Sequence, residues 1–82
     1  MNFTVYSKHG CPYCTRIIKV LSHLSTSKGY SIKEYVLDTD FTREQFYQEF
    51  GEGSTFPQVI VNDQHIGGCS DTVQYLKEQK LV

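Results

Sequence analysis

The 82-residue sequence predicts an α/β fold: a four-stranded mixed sheet flanked by three helices, in the order β-α-β-α-β-β-α. Three observations predict it. Short stretches rich in β-branched and aromatic residues alternate with stretches whose apolar residues recur at helical spacing. The first two strand-like stretches are separated by a helical one, which makes them parallel with a right-handed crossover. The last two are joined by a short polar turn, which makes them antiparallel.

Asn2 to Tyr6, with Phe3 and Val5 alternating, reads as the first strand. Pro12 suits the first position of a helix, where its missing N–H leaves nothing unsatisfied. Ile17, Ile18, Leu21 and Leu24 form one apolar face, and the Ser25–Gly29 stretch ends that helix. Tyr30 to Leu37 is β-branched and aromatic enough for a second strand. Thr42 followed by Gln45 is a capping-box signature, opening a short helix with Phe46 and Phe50 on its apolar side. Gly51-Glu52-Gly53-Ser54 reads as a loop. Gln58 to Val61 forms the third strand, Asn62-Asp63-Gln64 a hairpin turn, and His65-Ile66 a brief fourth strand. Gly67-Gly68 breaks the chain, and Ser70 and Asp71 open a last helix that carries Val73 and Leu76 inward.

Composition bounds the class. With 39% hydrophobic and 21% charged residues the chain is ordinary for a globular protein, and its length predicts one domain over 1–82 with a single core. No apolar run approaches the ~20 residues of a membrane span. The start, Met1-Asn2-Phe3-Thr4-Val5-Tyr6, lacks the pattern of a secretory signal. Three cysteines, an odd count, argue against a closed disulfide framework, so a cytoplasmic location with reduced thiols is expected. A net charge of −1 conceals an asymmetry: residues 1–33 carry Lys8, Arg16, Lys19, Lys28 and Lys33 and no carboxylate. Residues 34–63 carry Glu34, Asp38, Asp40, Glu44, Glu49, Glu52 and Asp63 against Arg43 alone. This is either a solvated basic helix beside an acidic one, or a positive field favouring a thiolate and anionic ligands. The basic residues form no dense stripe and the isoelectric point is near neutral, which argues against a nucleic-acid-binding class.

Cys11-Pro12-Tyr13-Cys14 carries the chemistry. Two cysteines separated by two residues at a strand-to-helix junction suit a dithiol that cycles with a disulfide. Cys11 falls at or next to the N-cap of the first helix, where backbone N–H groups lack helical partners and the dipole favours an anion. It should ionise below the free-thiol value of about 8.5, within the roughly 3.5–7.5 range of activated cysteines. Cys14 lies on the same face, one turn deeper, so Cys11 attacks and Cys14 resolves. The same spacing also begins zinc sites, which need two further ligands; Cys69, His65, His23 and His9 remain, and they form no second close pair. Cys69 reads as a small buried hydrophobe, or as a secondary thiol open to oxidation. Tyr6, Tyr30, Tyr35 and Tyr75 read as packing residues.

Four motifs in order resemble the glutaredoxin family: Tyr6-Ser7-Lys8, Cys11-Pro12-Tyr13-Cys14, Thr55-Phe56-Pro57-Gln58, and Gln64-His65-Ile66-Gly67-Gly68-Cys69-Ser70-Asp71. The resemblance covers nearly the whole chain. It implies a thioredoxin-like fold and a glutathione-dependent thiol–disulfide oxidoreductase acting on protein disulfides and protein–glutathione mixed disulfides, through a redox-active Cys11–Cys14 pair. It also implies a cis Pro57 facing the dithiol, with the Phe56 backbone pairing with the cysteinyl part of glutathione. Thr55, Phe56 and Pro57 would then form one wall of the site. Gly68, Ser70 and Asp71 would hold the γ-glutamyl end, Asp71 meeting its ammonium. Lys8 and Arg43 would meet the glycine carboxylate, and Tyr13 would flank the sulfur.

Glutathione is thus a reducing co-substrate, and no tightly bound cofactor or metal is implied. Some members hold an iron–sulfur cluster between two chains, an arrangement that Pro12 disfavours. Protein partners would carry disulfides or glutathione adducts, ribonucleotide reductase being one by analogy, and the chain would act as a monomer without nucleic-acid or membrane partners. Two features depart from the family. Glu52-Gly53-Ser54 stands where a shorter, often basic segment is usual, which implies weaker glutathione binding. Phe56 stands in place of the usual Val, which implies a narrower groove.

Overall fold

A computed structural model describes all 82 residues. Its elements are β1 (Asn2–Ser7), α1 (Pro12–Lys28), β2 (Ser31–Val36), α2 (Arg43–Phe50), β3 (Gln58–Val61), β4 (Gln64–Gly67) and α3 (Cys69–Glu78). The order is the one predicted. The strands form one sheet, β2-β1-β3-β4. β1 and β2 run parallel, from Asn2 opposite Ser31 to Ser7 opposite Val36. β3 is antiparallel to β1, with Phe3 opposite Val61 and Val5 opposite Val59, and β4 is antiparallel to β3 with an irregularity between Val59 and Ile60.

Strand alternation sends successive side chains of β1 to opposite faces, and each face has its own core. Phe3 and Val5 join Val59 and Val61 of β3, Ile17, Leu21 and Leu24 of α1, and Cys69 and Leu76 of α3 in an almost solvent-free cluster. Ile18 and Val73, expected to point inward, pack on its margin. Full burial of each large aliphatic side chain contributes about 1.5–3 kcal/mol relative to exposure. Tyr6 points the other way, toward Leu37, Phe41 and Phe46, the buried residues of the second cluster. α1 and α3 therefore cover one face of the sheet and α2 the other.

Several boundaries differ from the sequence reading. α1 continues through Ser25–Lys28 and ends only at Gly29, whose left-handed backbone (φ 71°) lets its N–H reach the Ser25 carbonyl at 3.0 Å. The polar run is the solvated last turn of the helix rather than its terminator, and Lys28 there complements the negative end of the dipole. β2 is one residue shorter at each end than expected, whereas β4 begins at Gln64, because the hairpin turn needs only Asn62 and Asp63. Both take positive φ (49° and 68°), the geometry of a two-residue type I′ turn. α2 has the predicted capping box: Thr42 Oγ1 accepts from the Gln45 N–H at 3.1 Å, and Gln45 Oε1 accepts from the Thr42 N–H at 2.8 Å. α3 starts one residue early, at Cys69. Its cap is Gly68, whose N–H donates to the Asp71 carboxylate at 3.3 Å. No helix is long and apolar enough to cross a membrane.

Candidate active site

The dithiol sits where β1 gives way to α1. Cys11 occupies the N-cap with extended backbone (φ −111°, ψ 102°), and Pro12 begins the helix. The two cysteines are joined as a disulfide, their Cα atoms 5.2 Å apart. The Cys14 N–H donates to Cys11 Sγ at 3.2 Å, so an otherwise unpartnered amide of the first helical turn is aimed at the first sulfur. Cys14 is the more deeply placed, 2% exposed against 8% for Cys11. Amide donation and the positive end of the helix both favour negative charge on Cys11 once the disulfide is reduced.

A groove of about 250 Å³ opens at Tyr13, lined also by Thr55, Phe56, Pro57, Gly68, Cys69, Ser70 and Asp71. Residues more than forty positions from the dithiol thus form its far wall. The Phe56–Pro57 peptide bond is cis, as the resemblance implied, and Pro57 is buried. The Phe56 N–H makes no backbone hydrogen bond. Across the groove, a Cβ at Gly68 would lie 3.6 Å from the Pro57 carbonyl oxygen, so the two walls are in close approach. Gly67 has φ +131°, and a Cβ there would meet the Asp71 carboxylate at 2.5 Å, which leaves glycine as the residue that fits. The Asp71 carboxylate fills that space and holds the Gly68 N–H. The N–H groups of Cys69, Ser70 and Asp71, in the first turn of α3, have no helical acceptor.

Cations stand over both groove-lining aromatic rings. Lys8 Nζ lies 5.4 Å from the Phe56 ring centre, and the Arg16 guanidinium lies 5.4 Å from that of Tyr13, which is 56% exposed. Arg43 is not brought to the groove. Its guanidinium donates toward the Tyr47 hydroxyl at 3.4 Å, in a separate cavity of about 490 Å³ shared with Glu44, Tyr47, Gln48 and Glu52. Position near the start of α2 is not enough, because the side chain runs along its own helix rather than toward the dithiol. Glu52 lines that same second cavity.

Cys69 is a free, buried thiol: it is 8% exposed, packs in the aliphatic cluster, and lines the groove. The structure gathers no cluster of three or more His, Cys, Asp and Glu side chains placed to hold a metal ion.

Sequence reasoning missed the support behind the groove. Gln58, 8% exposed, donates from Nε2 to the Thr55 carbonyl at 2.8 Å, and its Oε1 meets His65 Nε2 at 2.6 Å. The Phe56 ring stacks on Phe46, with centroids 4.1 Å apart and planes 13° from parallel. Phe46 packs on Phe50 at 5.0 Å, and Phe50 packs on the His65 ring at 5.0 Å. Tyr6 meets Phe41 and Phe50 on the same face, where burial first, then Glu49 and Tyr35, push its phenol above the ordinary value of 10.0. A polar Gln directly before the apolar run Val59-Ile60-Val61 was the available signal, because a buried carboxamide must find partners for both of its ends.

The glutaredoxin family model matches residues 3–66, which takes in the dithiol and the Thr55–Pro57 wall. Glutaredoxin 3 of Escherichia coli K12 is 41% identical over 71 residues, covering 85% of this chain and 80% of that protein. Glutaredoxin 1 of the same strain is 33% identical over 81 residues, 95% of each chain. Among solved structures, reduced Escherichia coli glutaredoxin superposes with a TM-score of 0.78 at 29% identity over the whole of both chains. A buckwheat glutaredoxin–glutathione complex superposes at 0.74 with 29% identity, over 96% of this chain and 71% of that one. A disulfide capping a helix at the end of the first strand, a cis-proline wall opposite it, and relatives alike in sequence and fold all lead to one assignment: the chain belongs to the glutaredoxin family and is a thiol–disulfide oxidoreductase.

Proposed function

We propose that the chain uses glutathione to reduce protein–glutathione mixed disulfides and protein disulfides, with Cys11 as the nucleophile. The observation that carries this reading is the groove beside Tyr13, where the Phe56 backbone makes no hydrogen bond within the protein and Gly68, Cys69, Ser70 and Asp71 at the start of α3 line the other wall. An extended peptide with a carboxylate at each end suits that arrangement. Its cysteinyl unit pairs with the Phe56 backbone beside Thr55 and Pro57, adding one short strand. Its γ-glutamyl carboxylate meets the N–H groups of Ser70 and Asp71 past Gly68, and its ammonium meets the Asp71 side chain. Lys8 serves the glycine carboxylate, and Tyr13 flanks the sulfur. Arg43 is not part of this set. The buckwheat relative, solved as a glutathione complex, supports the same ligand.

In the first reaction the Cys11 thiolate attacks the glutathione sulfur of a mixed disulfide. The old S–S bond breaks, the protein thiolate leaves and takes a proton, and a Cys11–glutathione disulfide remains. A second glutathione thiolate attacks the bound glutathione sulfur, releasing glutathione disulfide and restoring Cys11. With a protein disulfide, Cys11 forms a mixed disulfide with the client, and the Cys14 thiolate then attacks Cys11 Sγ and closes the bond seen here. Class potentials of roughly −200 to −230 mV lie at or above a glutathione poise of roughly −220 to −260 mV, so glutathione can drive the cycle. A coupled assay tests this. Turnover of a glutathionylated peptide with glutathione and glutathione reductase is expected; turnover with thioredoxin reductase alone would overturn the reading.

A further inference from the structure

We propose that Gln58 and His65 are positioning residues that aim the Phe56 N–H into the groove, an inference that rests on the glutathione reading above. The peptide bond between Thr55 and Phe56 is trans, so its C=O and N–H point in opposite directions. The Thr55 carbonyl is drawn inward by the buried Gln58 carboxamide at 2.8 Å. The Phe56 N–H on the far side of that peptide plane is thereby turned away from Gln58; it makes no backbone hydrogen bond, and Phe56 lines the groove.

Rotated the other way, the carboxamide would present its oxygen to Thr55, and two carbonyl oxygens would oppose each other. His65 reinforces the orientation that the Thr55 carbonyl requires. With the proton on Nε2, His65 donates to Gln58 Oε1 at 2.6 Å, which leaves the Gln58 NH2 group for Thr55. His65 is itself seated against Phe50, which packs on Phe46, which stacks on the Phe56 ring. The circuit closes on itself: Phe56 is held by its ring from one side and by its preceding carbonyl from the other. Neither Gln58 nor His65 lines the groove, so both act through Thr55 and Phe56 rather than on the substrate.

The test compares kcat and apparent KM for a glutathionylated peptide, with glutathione and glutathione reductase, across four variants. Gln58→Met, which preserves bulk and removes both hydrogen bonds, should raise KM roughly fivefold while kcat changes less than about twofold. Gln58→Glu can still accept from His65 but cannot donate to the Thr55 carbonyl, and should raise KM as much. His65→Phe keeps the ring contact with Phe50 and loses the donor, raising KM by about two- to threefold, and His65→Gln, which restores a donor near the same place, should bring KM back. Unchanged KM in Gln58→Glu and His65→Phe overturns the positioning role. If the buried-site variants fail to fold, the exposed His65 pair decides in the same way. A wild type that does not turn over the peptide overturns the glutathione reading instead, and the two failures are therefore distinct.

Discussion

On one face of the sheet Phe3, Val5, Ile17, Leu21, Leu24, Val59, Val61 and Leu76 are nearly or wholly withdrawn from solvent. On the other, the buried hydrophobic residues are Leu37, Phe41 and Phe46 alone, and Tyr6, Tyr35, Tyr47, Phe50 and Phe56 reach that cluster half-covered. The first face is aliphatic and closed by two helices. The second is aromatic, covered by the short α2, and retains a cavity of about 240 Å³ among Tyr6, Phe41, Gln45, Phe46 and Glu49. The difference divides the work. The aliphatic face holds the sheet to α1 and so presents the dithiol on a rigid helix start. The aromatic face holds the Thr55–Pro57 wall through the Phe56 ring. Aromatic rings suit that second task because a few stacked contacts fix orientation without full enclosure.

Substitutions can break this division. Leu76→Ala, at a site with no solvent exposure, should lower stability by about 2–5 kcal/mol in urea unfolding while leaving KM for a glutathionylated peptide unchanged in the folded protein. A raised KM would show that packing in the aliphatic face, which contributes Cys69 to the groove lining, also sets the geometry of the groove. Phe46→Leu removes the ring beneath Phe56 and should cost about 1–2 kcal/mol of stability, with KM rising severalfold. If KM stays constant there, the aromatic stack is packing alone. Tyr6→Phe sharpens the same face at alkaline pH. Because the folded-state pKa of Tyr6 is raised, the unfolded chain releases its proton first as pH rises past 10.0, and stability falls until the folded form also ionises. The variant should therefore lose stability less steeply than wild type above that pH in thermal melts. The smallest effect is expected from Glu52→Arg, which acts on the second cavity rather than the groove and should shift KM by less than about twofold through a screened field. A larger fall would return that loop to the binding site, as its sequence position alone had implied.

Much of this was legible in the sequence. The element order followed from apolar periodicity, the start of α2 from Thr42 and Gln45, and the site of the dithiol from Pro12 at a helix start. What escaped were directions and partnerships. The Ser25–Gly29 stretch reads as a terminator as a whole because polar residues end helices and also coat their solvated ends, and only its last residue, Gly29, stops the helix. Arg43 was placed by its helix, but its side chain lies beside Tyr47. The two-sided core could not be read from hydrophobicity, since Tyr6 and Val5 are both core-forming residues and face opposite ways. Gln58 and His65 each read as ordinary strand residues; their bond forms only because β3 and β4 pair as a hairpin.

The central claim is that Cys11 reacts and Cys14 decides which products close to a disulfide. Cys14→Ser tests it most directly when assayed side by side on a glutathionylated peptide and on a protein disulfide, with glutathione and glutathione reductase. The account predicts retained turnover of the first and loss of the second. A variant inactive on both substrates would contradict it.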